Sequence, residues 1–353
     1  MADKVLMKGN EAIAEAAIHA GCRHYFGYPI TPQTEIAAYM AKKMPKIGGT
    51  FLQAESEIAA INMVYGVASA GYRVMTSSSS PGIARKSEGL SYLAGSDLPS
   101  LVVNVQRGGP GLGGIQPSQS DYFQATKAGG HGDFRMIVLA PASVQEMAEL
   151  TCEAFDIADM YRVPVLILAD GALGQMMEPV DFDTIKKRDI PEKDWAACGH
   201  GGKRKKNILT SLFLNPEELE NSVLARYEKY KKIDENEVRC EQFMTEDADI
   251  VVVAYGITSR ICKSAVTAAR AKGIKVGMLR PITLSPFPAK ELKALSETAS
   301  KFLTVELNMG QMITDVKLAI ECSRPVEFLG RTGGSMMTVE DVLAKIEEMG
   351  GNK

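Results

Sequence analysis

Short apolar runs alternate with helical patterns along the first half of the chain. This alternation is typical of parallel strands that are joined by crossover helices, and it predicts an α/β fold. The apolar runs predict strands at 25–27, 50–53, 73–76, 100–106, 137–139 and 163–169. Helices are predicted at 10–20, from Thr31 with Pro32 in its first position, after residue 53, at 81–95 and from Ser143.

The alternation stops between residues 181 and 245, where the chain is charged, and it resumes afterwards. Within this segment, 215–232 has the pattern of a polar helix. The second half predicts strands at 250–254, 275–279, 302–305 and 326–329, with helices between them. We therefore predict two parallel-sheet α/β domains, at 1–180 and 246–353, with 181–245 as the connector.

Size and charge narrow the class of protein. The chain has 353 residues, 45% of them hydrophobic, and a net charge of -3, so two domains are expected and general nucleic-acid binding is not. The basic run at 203–206 fits a solvated connector better than a nucleic-acid patch in this acidic protein. No apolar run reaches the roughly 20 residues of a membrane span.

The six cysteines are scattered, and none forms a C-x-x-C pair. This spacing argues against a zinc or iron–sulfur site within the chain. Scattered thiols without an apolar leader fit a reducing compartment, so we expect a cytoplasmic protein.

Two carboxylates, Glu55 and Glu57, lie where the strand at 50–53 passes into a helix of small and apolar residues. An acid at a helix N-terminus is favoured by the helix dipole, so a simple capping role is one interpretation. The other is catalytic, because a partly desolvated carboxyl can share a proton with a ring nitrogen.

Ligands of parallel α/β sheets bind beyond the carboxyl ends of the strands, and polar residues follow several strands here. Thr31 lies in a turn stiffened by two prolines, although it can also be a helix N-cap. The serine-rich segment 76–82 suits an anion or is an ordinary polar turn. Arg107 follows an apolar strand and can hold a carboxylate with two parallel hydrogen bonds, or it forms a structural salt bridge.

The glycine-rich segment after Arg107 offers a further interpretation. Gly109, Gly111 and Gly114 fit G-x-G-x-x-G, with Asp133 about 20 residues further on, as in dinucleotide-binding proteins. That fingerprint has to open a helix, and the prolines in this loop argue against one. A dinucleotide-binding oxidoreductase is therefore the alternative to the function considered next.

Taken together and in this order, the motifs resemble the α subunits of 2-oxoacid:ferredoxin oxidoreductases. The resemblance covers nearly the whole chain except 181–245, and it is most similar to the branched-chain type that acts on 2-oxoisovalerate (3-methyl-2-oxobutanoate). The 2-oxoglutarate type is the nearest competitor. The motifs are GNEAIAEAAIHAG from Gly9, YFGYPITPQTE from Tyr25, QAESEIAAINMVYGVASAG from Gln53, SSSSPG from Ser77, QRGGPGLG from Gln106, and VVVAYG and LRPITLSPFP in the second half.

This resemblance implies a thiamine diphosphate enzyme that is divided between subunits. The chain would supply a pyrimidine-binding domain and a transketolase C-terminal-like domain. A β subunit would hold the diphosphate, Mg²⁺ and a [4Fe–4S] cluster, and ferredoxin-like γ/δ subunits would carry further clusters. The implied reaction is the oxidative decarboxylation of a 2-oxoacid, with coenzyme A taking the acyl group and ferredoxin the electrons.

The resemblance also implies roles for individual residues. Glu57, rather than Glu55, would hydrogen-bond N1′ of the aminopyrimidine, and Thr31 and Arg107 would face the 2-oxo-carboxylate of the substrate. The residues expected to contact the cofactor with Glu57 are Tyr28, Pro29, Ile30, Thr31, Ser78 and Ser79. One departure concerns Ser80, which occupies a position where the family usually has glycine; if that position needs a positive φ, Ser80 is strained or the loop differs.

Overall fold

The computed structural model describes residues 4–127 and 129–351. It contains two sheets flanked by helices, as the alternating pattern predicted, and a separate two-stranded ribbon. The strands are β1 (Val5–Lys8), β2 (His24–Gly27), β3 (Thr50–Gln53), β4 (Val74–Ser78), β5 (Ser100–Gln106), β6 (Ile137–Leu139), β7 (Pro164–Asp170), β8 (Met177–Val180), β9 (Cys240–Phe243), β10 (Ile250–Val253), β11 (Val276–Pro281), β12 (Thr283–Ser285), β13 (Lys301–Glu306) and β14 (Val326–Gly330).

The helices lie between these strands, and a 3-10 turn at Met44–Ile47 follows the second of them. Among the described residues, no helix is both long enough and apolar enough to cross a membrane. The helices are α1 (Gly9–His19), α2 (Thr34–Lys43), α3 (Glu57–Ser69), α4 (Ser80–Gly95), α5 (Tyr122–Thr126), α6 (Val144–Tyr161), α7 (Gly171–Gln175), α8 (Pro216–Asn236), α9 (Gly256–Ala271), α10 (Ala289–Thr298), α11 (Met312–Ala319) and α12 (Val339–Gly350).

The first sheet has seven strands in the order β12-β6-β7-β5-β4-β2-β3, and all pairs are parallel except β12 with β6. β5 and β7 lie at its centre and are buried at every position, which explains their continuous apolar sequences. β4 lies between β2 and β5, so the segments that follow these three strands are neighbours at one edge.

The second sheet has five strands in the order β14-β13-β10-β11-β9, with β9 antiparallel to β11. Every strand predicted from an apolar run is present. The sequence pattern missed β1, β8, β9 and β12 because each has only three or four residues and lies in an antiparallel edge or ribbon, too short for a period to be recognised.

Two predicted boundaries were wrong. β4 continues to Ser78 and α4 begins at Ser80, so the serine-rich turn between them is a single residue. α2 begins at Thr34 rather than at Thr31. Long-range contacts explain the later start, because the Thr31 carbonyl accepts a hydrogen bond from Arg107 and the Pro32 carbonyl accepts one from Asn10.

The charged segment 181–245 contains the predicted polar helix as α8, whose first turn is capped by the Asn215 side chain. The two-domain division stays a prediction. One strand crosses the proposed boundary, since β12 comes from the second half of the chain and pairs with β6 of the first sheet.

Gln119 joins the first sheet to the second half of the chain. Its amide nitrogen donates to the Tyr255 carbonyl at 2.8 Å, and its amide oxygen accepts from Thr258 Oγ1 at 2.7 Å and from the Leu307 backbone at 3.0 Å. The side chain is fully buried, so these hydrogen bonds are shielded from water. The end of the glycine-rich loop is therefore fixed against the second sheet.

Candidate active site

The residues singled out from the sequence meet at the carboxyl edge of the first sheet. β2 leads into residues 28–31, β3 into 54–57, β4 into Ser79 and β5 into Arg107. Since these strands are adjacent and parallel, their following segments form one surface, which is the usual ligand-binding edge of such sheets.

Glu57 is the first residue of α3 and is only 3% exposed. The capping role belongs to its neighbour Ser56, whose hydroxyl accepts from the Ala59 backbone at 3.1 Å. In the described ranges, the Glu57 carboxylate accepts one hydrogen bond, from Nη1 of Arg85 at 3.3 Å. The helix-cap interpretation of Glu57 is therefore wrong, and its burial needs another explanation.

Gly82 of α4 marks how closely the site is packed around Glu57. A Cβ atom at Gly82 would lie 2.0 Å from Ser78 Oγ and 2.8 Å from Glu57 Oε1. The Ser78 hydroxyl is buried and has no hydrogen-bond partner within the described residues. The carboxylate and an unpartnered hydroxyl thus lie against the same glycine, where only a residue without a side chain fits.

Ser80 has a φ of +22°, so the positive φ considered for this position is present. Three hydrogen bonds hold it there. Its backbone N–H donates to Asn104 Oδ1 at 3.1 Å, its hydroxyl donates to Asp121 Oδ2 at 2.6 Å, and that hydroxyl accepts from the Arg107 backbone at 3.1 Å. These contacts explain how serine is accommodated at a position with a positive φ.

Arg107 is 8% exposed, and its guanidinium spans two loops. Nη1 donates to the Thr31 carbonyl and Nη2 to the Leu112 carbonyl, both at 3.0 Å. In residues 4–127 and 129–351, Nε is buried without a partner and no carboxylate lies within salt-bridge distance. The structural salt-bridge interpretation is therefore wrong, and the structure brings Arg107 to Thr31.

The loop after β2 lies on the surface beside Arg107. Tyr28, Pro29 and Thr31 are exposed, and Ile30 is half-buried. Thr31 is not an N-cap, because α2 begins three residues later with Gln33 in the capping position. The Thr31 hydroxyl is accordingly left for contacts outside the helix.

The serines of the predicted anion loop differ in their partners. Ser79 Oγ donates to the Val105 carbonyl at 2.7 Å, and Ser77 Oγ donates to Gln33 Oε1 at 2.6 Å. Gln33 is fully buried, and its Nε2 has no partner in the part of the chain that the structure describes. Ser78 Oγ and Arg107 Nε are likewise buried without a partner in the described residues, and a bound ligand is one explanation for such unsatisfied groups.

Asp121 and Asn104 belong to the site and were missed from the sequence. Asn104 Nδ2 donates to Asp121 Oδ2 at 2.9 Å, next to Ser80. Burial raises the pKa of Asp121, while the hydrogen bonds from Ser80 and Asn104 and the charge of Arg107 oppose the rise. The available signal was one asparagine inside the apolar strand SLVVNVQ.

Lys86 was also missed, and it is fully buried in α4. Its Nζ donates to Thr76 Oγ1 at 2.8 Å. Burial lowers the pKa of Lys86 to about 8, against the opposing charge of Glu57. A lysine in an otherwise amphipathic helix carries no sequence signal for burial, because lysines are mostly exposed.

The glycine-rich loop does not form a dinucleotide-binding turn. After Gly114 the chain continues as irregular structure, and Arg107 pairs with Pro117 in an isolated bridge. The next helix, α5, begins only at Tyr122 and has five residues. The G-x-G-x-x-G interpretation is wrong because its glycines do not open a helix.

Comparison with protein families agrees with the motifs. Residues 15–242 match the thiamine diphosphate-binding family of pyruvate flavodoxin/ferredoxin oxidoreductases. Residues 248–342 match core domain II of pyruvate:ferredoxin oxidoreductase.

Two similar proteins are named ketoisovalerate oxidoreductase subunit VorB. The one from Methanothermobacter marburgensis is 54% identical over 98% of both chains, and that from Methanothermobacter thermautotrophicus is 52% identical over 98% of both. The 2-oxoglutarate synthase subunit KorA of Methanothermobacter marburgensis is 37% identical over 99% of this chain and all of the relative.

Two solved structures match nearly the whole of this chain. A 2-oxoglutarate:ferredoxin oxidoreductase from Magnetococcus marinus, with 2-oxoglutarate, coenzyme A and succinyl-CoA bound, superposes with a TM-score of 0.86 and 29% identity. The match covers 99% of this chain and 66% of that one. A split-gene transketolase, at 14% identity and a TM-score of 0.60, shares the fold. From its two matching regions and its full-length relatives, the chain belongs to the pyruvate flavodoxin/ferredoxin oxidoreductase family.

Proposed function

We propose that the chain is the α subunit of a thiamine diphosphate-dependent 2-oxoacid:ferredoxin oxidoreductase that acts on 2-oxoisovalerate. The reaction is the coenzyme A-dependent oxidative decarboxylation of this branched-chain 2-oxoacid to its acyl-CoA, with reduction of ferredoxin. The observation that carries the proposal is the buried Glu57 carboxylate, which lies against Gly82 beside the unpartnered hydroxyl of Ser78.

The residues at this edge fit the pyrimidine of thiamine diphosphate. Glu57 offers a carboxylate, Ser78 an unsatisfied hydroxyl, and Gly82 the absence of a side chain that would fill the space. The same edge is bordered by Tyr28, Pro29, Ile30 and Thr31. The Ser79 hydroxyl donates a hydrogen bond to β5 at this edge. When bound, the cofactor supplies an electron sink for the decarboxylation of a 2-oxoacid.

Glu57 has the surroundings of a group that exchanges a proton with a ring nitrogen. It lies at the N-terminus of α3, and its burial keeps water away from it. Since Ser56 already caps the helix, the carboxylate is available for a ligand. We assign it the hydrogen bond to N1′ and the holding of the proton there.

Arg107 and Thr31 are proposed to bind the substrate carboxylate. The Arg107 guanidinium is fixed by two backbone carbonyls, and its buried Nε is a further donor that has no partner in the described residues. A buried cation with an unused donor favours an anion, because its desolvation is otherwise uncompensated. Thr31 contributes an exposed hydroxyl next to this guanidinium.

The remaining components are assigned to partner subunits. We propose a β subunit that holds the diphosphate, Mg²⁺ and a [4Fe–4S] cluster, and ferredoxin-like γ/δ subunits with further clusters. The names of the relatives, which are oxidoreductase and synthase subunits, support a multi-subunit enzyme. We also propose that the enzyme acts in the cytoplasm.

The same chemistry on 2-oxoglutarate is the second candidate. It is favoured by the KorA relatives and by the structure that holds 2-oxoglutarate. The identities favour 2-oxoisovalerate, since the VorB subunits are 52–54% identical and the KorA subunits from the same two organisms 37–38%.

The test is to purify the native complex under nitrogen and to measure viologen reduction with 2-oxoisovalerate, 2-oxoglutarate and pyruvate side by side. We expect coenzyme A-dependent activity that is highest with 2-oxoisovalerate. Highest activity with 2-oxoglutarate would keep the mechanism and replace the substrate. Absence of any 2-oxoacid-dependent reduction by the assembled complex would overturn the proposed function.

A further inference from the structure

A closed ring of hydrogen bonds lies next to the Arg107 backbone, and the chemistry proposed so far gives it no role. Its members are Ser80 of α4, Asn104 of β5 and Asp121, which precedes α5. The Ser80 backbone N–H donates to Asn104 Oδ1 at 3.1 Å, and Asn104 Nδ2 donates to Asp121 Oδ2 at 2.9 Å. The Ser80 hydroxyl closes the ring by donating to the same Asp121 oxygen at 2.6 Å.

The ring holds the Arg107 backbone through a single oxygen atom. Ser80 Oγ lies 3.1 Å from the Arg107 backbone nitrogen and 3.2 Å from the Arg107 carbonyl oxygen. A hydroxyl has one proton, and a short hydrogen bond to a carboxylate is the stronger use of it. The Ser80 proton therefore goes to Asp121, and a lone pair of Ser80 Oγ accepts from the Arg107 N–H.

Asp121 is also fixed through its main chain. Its backbone N–H donates to Gln106 Oε1 at 3.1 Å, and Gln106 Nε2 donates to the Ala169 carbonyl of β7 at 3.2 Å. Asn104 and Gln106 are buried, so water does not compete for their hydrogen bonds. The ring is thus tied to β5 and β7, the two central strands of the first sheet.

This arrangement places a negative charge near Arg107 without using the donors of its guanidinium. Burial raises the pKa of Asp121 and the charge of Arg107 opposes the rise, so the two charges lie close enough to interact. In the described residues, the guanidinium donates to the neutral carbonyls of Thr31 and Leu112, and its Nε has no partner. A direct ion pair with Asp121 would occupy donors that a substrate carboxylate can use.

We propose that Asp121 is a positioning residue that acts through Arg107: its carboxylate orients the Ser80 hydroxyl, and this hydroxyl holds the Arg107 backbone in place for the substrate carboxylate. This inference rests on the proposed function and adds to it the group that fixes the substrate-binding arginine. Without the Asp121 charge, the Ser80 proton can turn to the Arg107 carbonyl oxygen, so Arg107 is held less firmly and binds the 2-oxoacid less tightly.

The experiment is a double-mutant cycle in the assembled complex, with the 2-oxoacid that this complex oxidises fastest. Initial rates over a range of substrate concentrations give KM and kcat for the wild type, Asp121→Asn, Arg107→Ala and the double variant. Asp121→Asn keeps the shape of the side chain and removes its charge. Asp133→Asn is the matched control, since it removes the charge of an exposed acid between α5 and β6.

We expect Asp121→Asn to raise KM by about three- to tenfold and to leave kcat within about twofold, because the lost interaction involves no reacting atom. In the Arg107→Ala background, the same substitution should raise KM by less than about 1.5-fold, since no guanidinium is left to position. Asp133→Asn should leave both constants unchanged.

An equal rise in KM in both backgrounds would overturn the proposal, because Asp121 would then act independently of Arg107. A fall in kcat at constant KM would also overturn it. If Asp121→Asn does not assemble, Ser80→Ala, which removes the hydroxyl that links Asp121 to Arg107, takes its place in the cycle with the same expected pattern.

Failure of the proposed function gives a different result. A wild-type complex without 2-oxoacid-dependent turnover, or an unchanged KM in Arg107→Ala, would contradict the proposed function and this inference together. A raised KM in Arg107→Ala with an unchanged KM in Asp121→Asn would overturn the inference alone.

Discussion

Glu57 and Glu306 are buried glutamates that lie where a parallel strand passes into the following helix, and their surroundings differ. Glu306 ends β13 in the second sheet, and its carboxylate accepts from the backbone N–H groups of Gln311, Met312 and Ile313 at 2.8–3.2 Å. Asn308 Nδ2 adds a fourth hydrogen bond at 2.9 Å. Burial raises the pKa of Glu306, and these hydrogen bonds oppose the rise.

Glu57 is as deeply buried but accepts one long hydrogen bond from an exposed arginine. A buried carboxylate with its acceptors filled by backbone stabilises the fold, whereas one with acceptors left over is suited to a ligand. We therefore propose a structural role for Glu306, the last residue of β13, and a functional one for Glu57, the first residue of α3.

The largest expected effect comes from Glu57→Gln. The amide is similar in shape but cannot share a proton in the same way, so turnover in the assembled complex should fall by about 10²- to 10⁴-fold while the fold is kept. Steady-state viologen reduction and circular dichroism measure the two quantities. Glu55→Gln is the matched control, since Glu55 is exposed in the same loop and should retain activity. Near-normal turnover in Glu57→Gln would remove this residue from the mechanism.

Arg107→Ala should mainly raise the apparent KM for the 2-oxoacid. Loss of a charged hydrogen bond costs about 1.5–3 kcal/mol, which corresponds to about a ten- to hundredfold rise. Arg107→Lys keeps the charge without the planar fork and should give an intermediate KM. Initial rates over a range of substrate concentrations give KM and kcat separately. An unchanged KM in the alanine variant would contradict pairing with the substrate carboxylate.

Glu306→Gln tests the other side of the comparison. The amide loses the charge that several backbone N–H groups share, so we expect the free energy of unfolding to fall by about 1–3 kcal/mol. Urea denaturation measures this change, and activity per folded molecule should stay near that of the wild type. Glu340→Gln removes an exposed acid from the first turn of α12 and should change stability by less than about 0.5 kcal/mol. A stable Glu306→Gln variant that lost turnover would reverse the two assignments.

The smallest effect concerns the turn that supports the site. Ser80→Gly and Ser80→Ala both lose the hydroxyl that contacts Asp121, but only glycine takes a positive φ without steric cost. The glycine variant should therefore be more stable than the alanine variant by about 1 kcal/mol, measured by thermal denaturation. Equal stabilities would mean that the backbone of Ser80 carries no strain.

The sequence pattern was sufficient for the α/β class because continuous apolar runs, such as those of β5 and β7, alternate with helical segments along the chain. It also indicated Thr31, Glu57 and Arg107, because each lies shortly after a predicted parallel strand, where ligands of such sheets bind. The antiparallel strand β12 escaped prediction, because pairing with β6 joins segments far apart in the chain.

Motifs and periodicity determined the family, the parallel sheets and the three residues at their carboxyl edge, because these depend on local residue order. Tertiary structure alone decided which serines of the site are satisfied: Ser79 is hydrogen-bonded to β5, and Ser78 is left without a partner among the described residues. It also buried Lys86 of α4 completely. Burial and hydrogen-bond satisfaction depend on residues distant in the chain, and no local pattern of one sequence records them.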